Sequence, residues 1–170
     1  MRIGGALLIV FSCGLIGIIV AKSYSDRIQN IKALLTFVQL LETEISYSQT
    51  SLPTAFKKIA GQLQGPVSLF LQTVTHYLQT EPDRGIQEIW ELGIQVLEEN
   101  GLPIVVLEDL ITFGEVLGAS DVEDQKKHLN LLRIRLNQAL ETAEAEHSKN
   151  ARMWQYLGFC TGILIALLLF

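Results

Sequence analysis

The chain of 170 residues carries 13 Lys and Arg against 18 Asp and Glu, a formal net charge of −5 with His neutral. That acid excess excludes the usual nucleic-acid binder, which needs Lys and Arg to neutralise phosphates. The two cysteines, Cys13 and Cys160, both lie in uncharged runs, so the segment between those runs can hold neither a disulfide framework nor a cysteine-built metal site.

Ile3 to Ala21 is 19 residues without a charge. A helix rising about 1.5 Å per residue needs roughly 20 to cross a hydrocarbon core. Residues 1–21 are therefore read as a transmembrane helix. A cleaved signal peptide competes for the same stretch, with Arg2 as its charged start and Ala21 at the cleavage site. The apolar run is longer than a usual signal core, and Ile19 fits the small-residue pattern poorly. A lipoprotein site at Cys13 fits less well still, because Phe11 is bulky and the run continues past the cysteine.

The next helix is expected from about Asp26 to Tyr47, continuing from the first span, with Ile31, Leu34, Leu35, Val38, Leu41 and Ile45 inward and Glu42 and Glu44 off that face. Ser51 and Pro53 then restart the chain as N-cap and first-turn residue of a short helix that buries Phe56, Ile59, Ala60 and Leu63. Gly65-Pro66 breaks it, and a third helix turns Val67, Phe70, Leu71, Val74 and Leu78 inward. After the polar turn Glu81 to Gly85, a fourth helix carries Ile86, Ile89, Trp90, Gly93, Val96 and Leu97 on one stripe and stops at Asn100-Gly101. Trp90 lies on that stripe and reads as core.

Pro103 opens a fifth helix with Ile104, Leu107, Leu110, Ile111, Gly114 and Leu117 on one side. Gly118-Ala119 turns into the sixth and longest helix. Its start, Ser120-Asp121-Val122-Glu123, has the form of a capping box. Val122, Leu129, Leu132, Leu136, Ala139, Leu140 and Ala143 form its inward face. If continuous, Asp121 to Asn150 spans about 45 Å at the helical rise. From Trp154 to Phe170 the chain is again uncharged, with Trp154 and Tyr156 where amphipathic rings favour a headgroup region, so residues 153–170 are read as a second transmembrane helix. No stretch alternates as a strand would.

The fold class is all-α: a six-helix cytoplasmic bundle, residues 22–152, flanked by an N-terminal and a C-terminal transmembrane helix. Every Lys and Arg except Arg2 lies in the middle domain with all 18 acids, and 12 minus 18 gives it −6. Lys22, Arg27 and Lys32 follow the first span, and Lys149 and Arg152 precede the second. Positive flanks stay inside, which puts the middle domain in the cytoplasm and both termini on the opposite side.

The chemistry of an enzyme is missing. His76, His128 and His147 are isolated in sequence, and no phosphate-binding glycine loop or nucleophile-elbow serine occurs. The neighbouring acids Glu98-Glu99 and Glu108-Asp109 read as solvated faces. No cofactor is expected. In the terminal runs Gly158 and Gly162 form a GxxxG pattern, and Gly14 and Gly17 fall at a similar depth, so these glycines are candidates for packing the spans on each other or on another copy.

Two local patterns are more specific: LLETEISYSQTSLPTAF from Leu40 to Phe56, and GEVLGASDVEDQ from Gly114 to Gln125, followed by Lys149-Asn150, Tyr156-Leu157-Gly158 and Gly162. Together they resemble the stage III sporulation protein AB family of endospore-forming bacteria, over essentially the whole chain. The resemblance implies a non-enzymatic membrane component of the channel-like apparatus that the mother cell builds toward the forespore. It also implies a domain similar to one cytoplasmic domain of the platform proteins of type II secretion and type IV pilus machines. Such platforms commonly carry two of these domains and three spans; the present chain has one and two, which suggests self-association. Implied partners are a secretion-type ATPase, other membrane components of the sporulation channel, and membrane lipid, with no nucleic acid. Glu44, Glu115, Asp121 and Gln125 are the candidate partner-binding residues. Structural roles stand beside this for the same corner: Gly114 for close helix approach, Gly118 as a C-cap, and Asp121 at the positive end of a helix dipole. A membrane-anchored helical sensor, passing a ligand-induced shift down the last helix, is the alternative function.

Overall fold

A computed structural model describes the backbone of residues 2–48, 51–117 and 122–169 and the side-chain surroundings of 22–46, 51–117 and 123–149. Among these residues all regular structure is helical. Helix α1 (Arg2–Thr43) runs into a short π-helix (Glu44–Ser48), followed by α2 (Leu52–Ala60), α3 (Gly65–Thr80), α4 (Ile86–Glu99), α5 (Ile104–Val116) and α6 (Val122–Leu169). The all-α class and the six helices are as the sequence predicts. The chain forms two compact units, one of Met1–Ile28 with Glu141–Phe170 and one of Gln29–Leu140.

Within the described residues no helix is long and apolar enough to cross a membrane. The two expected spans, residues 1–21 and 153–170, lie outside the described side-chain surroundings, as do Gly14, Gly17, Gly158 and Gly162. The capping box at Ser120 and the turn at Gly118-Ala119 also fall outside the described residues.

Local chemistry explains where the helices start and stop. Ser51 is extended (φ −61°, ψ 143°) and Pro53 sits in the first turn of α2, where its missing N–H costs nothing. The Ser51 hydroxyl does not cap a backbone amide as expected; it meets the Thr54 hydroxyl at 2.9 Å, while its carbonyl accepts the Thr54 and Ala55 N–H groups at 3.0 Å. Helix α4 ends in a Schellman motif, with Leu102 N–H on the Leu97 carbonyl (3.2 Å) and Gly101 N–H on that of Glu98 (2.9 Å). Gly101 takes φ +76°, which a side chain tolerates poorly.

The core of the larger unit is aromatic. Trp90 is 1% exposed and has the rings of Phe70, Phe56, Phe113 and Phe37 at 4.8, 5.8, 5.9 and 6.3 Å. Its indole N–H donates to the Leu110 carbonyl at 2.8 Å, so its one polar atom is satisfied inside α5. Burying each such ring contributes about 1.5–3 kcal/mol. Two glycines let neighbouring helices come this close. A Cβ on Gly93 would lie 2.5 Å from Val74 Cγ2, and one on Gly114 only 2.2 Å from Trp90 Cδ1. The close-approach role read for Gly114 is therefore its role in the structure.

Most predicted inward residues are buried, but three assignments change. Helix α5 is rotated from its predicted phase: Val106, Leu107, Leu110, Phe113, Gly114 and Leu117 are buried, whereas Ile104 is 70% exposed and Ile111 half-buried. Four consecutive apolar residues, Ile104 to Leu107, leave the phase unreadable until packing sets it. Glu44 is not off the stripe of α1 but 8% exposed, because Phe37, Leu41 and Glu44 are spaced by four and three and share one face. Asp109, expected on a solvated face, is 9% exposed. Smaller departures are that Phe37 and Ile94 join the core, while Leu35, Ile45, Leu63, Leu78, Ile86, Val96, Ala139 and Leu140 are half-buried.

Candidate functional surface

Within the larger unit, the first part of α6 is tied to its neighbours from two sides. Arg133 and Arg135 are two residues apart, so at roughly 100° per residue they leave the helix in nearly opposite directions. Arg133 reaches α1, where its Nη1 donates to Glu42 Oε2 at 3.4 Å. Arg135 reaches α5, where its Nη1 donates to Asp109 Oδ1 at 2.5 Å. Buried Leu129, Leu132 and Leu136 fill the seam. The exposed Glu42 pair contributes at most about 1 kcal/mol. The Asp109 pair matters more, since a carboxylate held inside the protein without a partner is strongly disfavoured.

The junction of α1 and α2 is built alike: Lys58 Nζ donates to the buried carboxylate of Glu44 at the start of the π-helix. Within the smaller unit, Arg27 Nη1 donates to Glu146 Oε2 at 3.2 Å, linking α1 to α6. On the first turn of α6, Lys127 donates to Asp124 at 2.8 Å. That bond and its charge hold the Asp124 carboxyl below the ordinary aspartate range.

A shallow groove lies between α5 and α6, lined by Asp109, Thr112, Phe113, His128, Leu131, Leu132 and Arg135. Its cation, Arg135, is already engaged by Asp109. His76 meets Tyr77 edge-on at 5.6 Å. Among the described residues no three His, Cys, Asp or Glu side chains are placed to hold a metal ion.

The four candidate partner-binding residues differ in setting. Glu115 is exposed and takes no ion pair among the described residues. Gln125 is half-buried with a partner of its own. The Glu44 carboxylate faces the protein, with Lys58 outermost. Asp121 lies outside the described residues. No hydrogen bond or ion pair joins Glu44 to Glu115, which stand on α1's π-helical extension and on α5. Sequence reasoning passed over Asp109, Arg133, Arg135 and Lys58. The available signal was a charged residue three or four positions from apolar ones on the same face, as at Asp109 between Val106 and Phe113.

These features define an all-helical bundle protein, its last helix held by ion pairs to two neighbours. The sequence signature of the stage III sporulation protein AB family matches residues 2–170. The chain is 35% identical over 170 residues to stage III sporulation protein AB of Bacillus subtilis (strain 168), covering 99% of each chain. A solved structure of a stage III sporulation protein AB superimposes with a TM-score of 0.66 at 32% identity, over 72% of this chain and 96% of that one. The chain belongs to the stage III sporulation protein AB family.

Proposed function

We propose that the protein is a non-enzymatic membrane platform of the sporulation channel-like apparatus, coupling a cytoplasmic secretion-type ATPase to the membrane assembly in the mother cell. The two uncharged terminal runs are its anchors, in the mother-cell membrane facing the forespore. Residues 22–152 face the cytoplasm, in keeping with the basic flanks Lys22, Arg27, Lys149 and Arg152. Binding, not chemistry, is its work.

The observation that carries this reading is helix α6. One element, Val122–Leu169, holds Glu42 and Asp109 through Arg133 and Arg135 and also supplies the final uncharged run. A partner that moved the bundle would thereby act on the anchor through a helix. Glu115, exposed near the end of α5, supports a charged contact with a basic partner. Gly158 and Gly162 are proposed to pack the anchor on the first span or on a second copy, and their replacement by Ile should weaken association in a membrane reporter assay.

The test is a crosslinked pull-down of a tagged full-length copy from sporulating cells. Recovery of the secretion-type ATPase, reduced by Glu115→Lys in a folded protein, is the expected result. A pull-down that returns channel membrane components without the ATPase would end the coupling role.

A further inference from the structure

The rotation of α5 leaves a helix face largely exposed among the described residues. At about 100° per residue, Ile104, Val105, Glu108, Ile111, Thr112 and Glu115 fall within roughly one third of the helix circumference. Ile104 is 70% and Val105 64% exposed, the two most exposed large hydrophobic residues described. The face starts aliphatic and continues through exposed Glu108 to exposed Glu115. These two acids are seven residues apart, two helical turns or about 10 Å.

The charge around this face names its occupant. From Gly85 to Leu117, the α4–α5 hairpin has seven Asp and Glu and no Lys, Arg or His. Arg84 takes Glu88 and Arg135 takes Asp109, both from outside the hairpin. Seven minus two leaves five, all exposed and with no ion pair among the described residues. Aliphatic residues that water would otherwise surround, beside carboxylates without cations, fit a surface that is apolar at one end and basic along its length.

We infer that the Ile104–Glu115 face of α5 is the docking site for a protein partner presenting an amphipathic basic helix. The partner's aliphatic residues cover Ile104 and Val105, and two of its Lys or Arg residues, about two turns apart, meet Glu108 and Glu115. The inference rests on the platform reading for the partner's identity, and it extends that reading from one carboxylate to a face with a polarity.

The experiment uses the full chain in lipid nanodiscs and the purified ATPase, with binding measured by interferometry at low and physiological salt. Glu108→Lys with Glu115→Lys should weaken binding tenfold or more and flatten its salt dependence. Ile104→Ser with Val105→Ser should weaken it several-fold at either salt. Glu123→Lys with Glu141→Lys, an equal change of charge on α6, should leave it within twofold. All the altered positions are exposed, and unchanged circular dichroism establishes that each variant is folded. Binding that survives both α5 double variants, or falls equally in the α6 control, overturns the docking face and leaves the platform reading standing. A photo-crosslinker at Val105 that captures a second copy instead of the ATPase overturns it too. Failure of the unaltered chain to bind the ATPase removes the platform reading and the partner assignment together.

Discussion

Replacing Gly114 by alanine tests whether the α4–α5 contact is as tight as its geometry. The new Cβ would stand 2.2, 2.7 and 2.9 Å from Trp90 Cδ1, Nε1 and Cγ, where carbon contacts settle at about 3.5–4.0 Å. The indole has little room to retreat, with Phe70 at 4.8 Å on one side and the Leu110 carbonyl holding its N–H at 2.8 Å. Overpacking of this kind costs about 1–3 kcal/mol. Displacing the indole N–H adds about 1 kcal/mol, while alanine's better helix propensity returns about 1 kcal/mol. The expected net loss is therefore about 2 kcal/mol, which for a chain of this size lowers Tm by about 4–8 °C. Thermal and urea unfolding of the full-length protein in detergent, followed by circular dichroism, gives the number. Gly61→Ala is the control, because its Cβ would meet backbone no closer than 3.5 Å. Equal or higher stability of the Gly114 variant would refute the argument, since it would mean that α5 can move away from Trp90 at no cost.

Asp109→Ala should cost about 1–2 kcal/mol, less than a fully buried pair because Arg135 can turn to water; urea unfolding measures it, and hydrogen exchange should rise first along Leu129 to Leu136. Gly101→Ala forces a side chain into φ +76° and should destabilise by about 1 kcal/mol, read from the same unfolding curves. Asp124 should titrate below the usual aspartate range by NMR, and Lys127→Ala should return it upward. The sign follows from linkage: a carboxyl depressed in the folded state favours folding above its unfolded pKa and loses that contribution as pH falls through the folded one. The change of stability with pH is thus confined to acid pH, whereas the contribution itself is present at pH 7, where the Asp124 charge state is the same with and without Lys127.

What the sequence made legible follows from how much phase information each helix carries. In α4, Ile89, Trp90, Gly93 and Leu97 alternate with Glu88, Glu91, Gln95 and Glu98, so only one rotation buries the apolar side, and Trp90 could be assigned to the core. In α5, Ile104, Val105, Val106 and Leu107 occupy all sides at once. The choice among them was made by Phe113, whose ring lies 5.9 Å from that of Trp90; nine residues from Ile104, it leaves the helix on the opposite side, so burying it turns Ile104 outward. Glu44 and Asp109 were misread for another reason. A charged side chain defaults to water, and their partners, Lys58 and Arg135, stand 14 and 26 residues away on other helices. Spacing within one helix holds no record of such pairs. Of the candidate site, Glu115 was legible as a candidate contact, but the aliphatic half of its face was not, because Ile104 and Ile111 read as core and Val105 was assigned to neither side.

The ion pairs of α6 also bear on the order in which the protein takes shape. Glu42 and Arg133 are 91 residues apart, and Arg27 and Glu146 are 119 apart, whereas α2, α3, α4 and α5 each pack on the helix made just before or after. Contacts between sequence neighbours close early and those between distant segments close late. On the ribosome, which delivers the chain amino terminus first, the middle helices can associate while α6 is still being made. The seam that Leu129, Leu132 and Leu136 fill stays wet until then. A chain cut short before α6 would thus be an unfinished bundle with an apolar seam open, a substrate for chaperones and proteases, and a helix made after the middle four is the one that closes the seam.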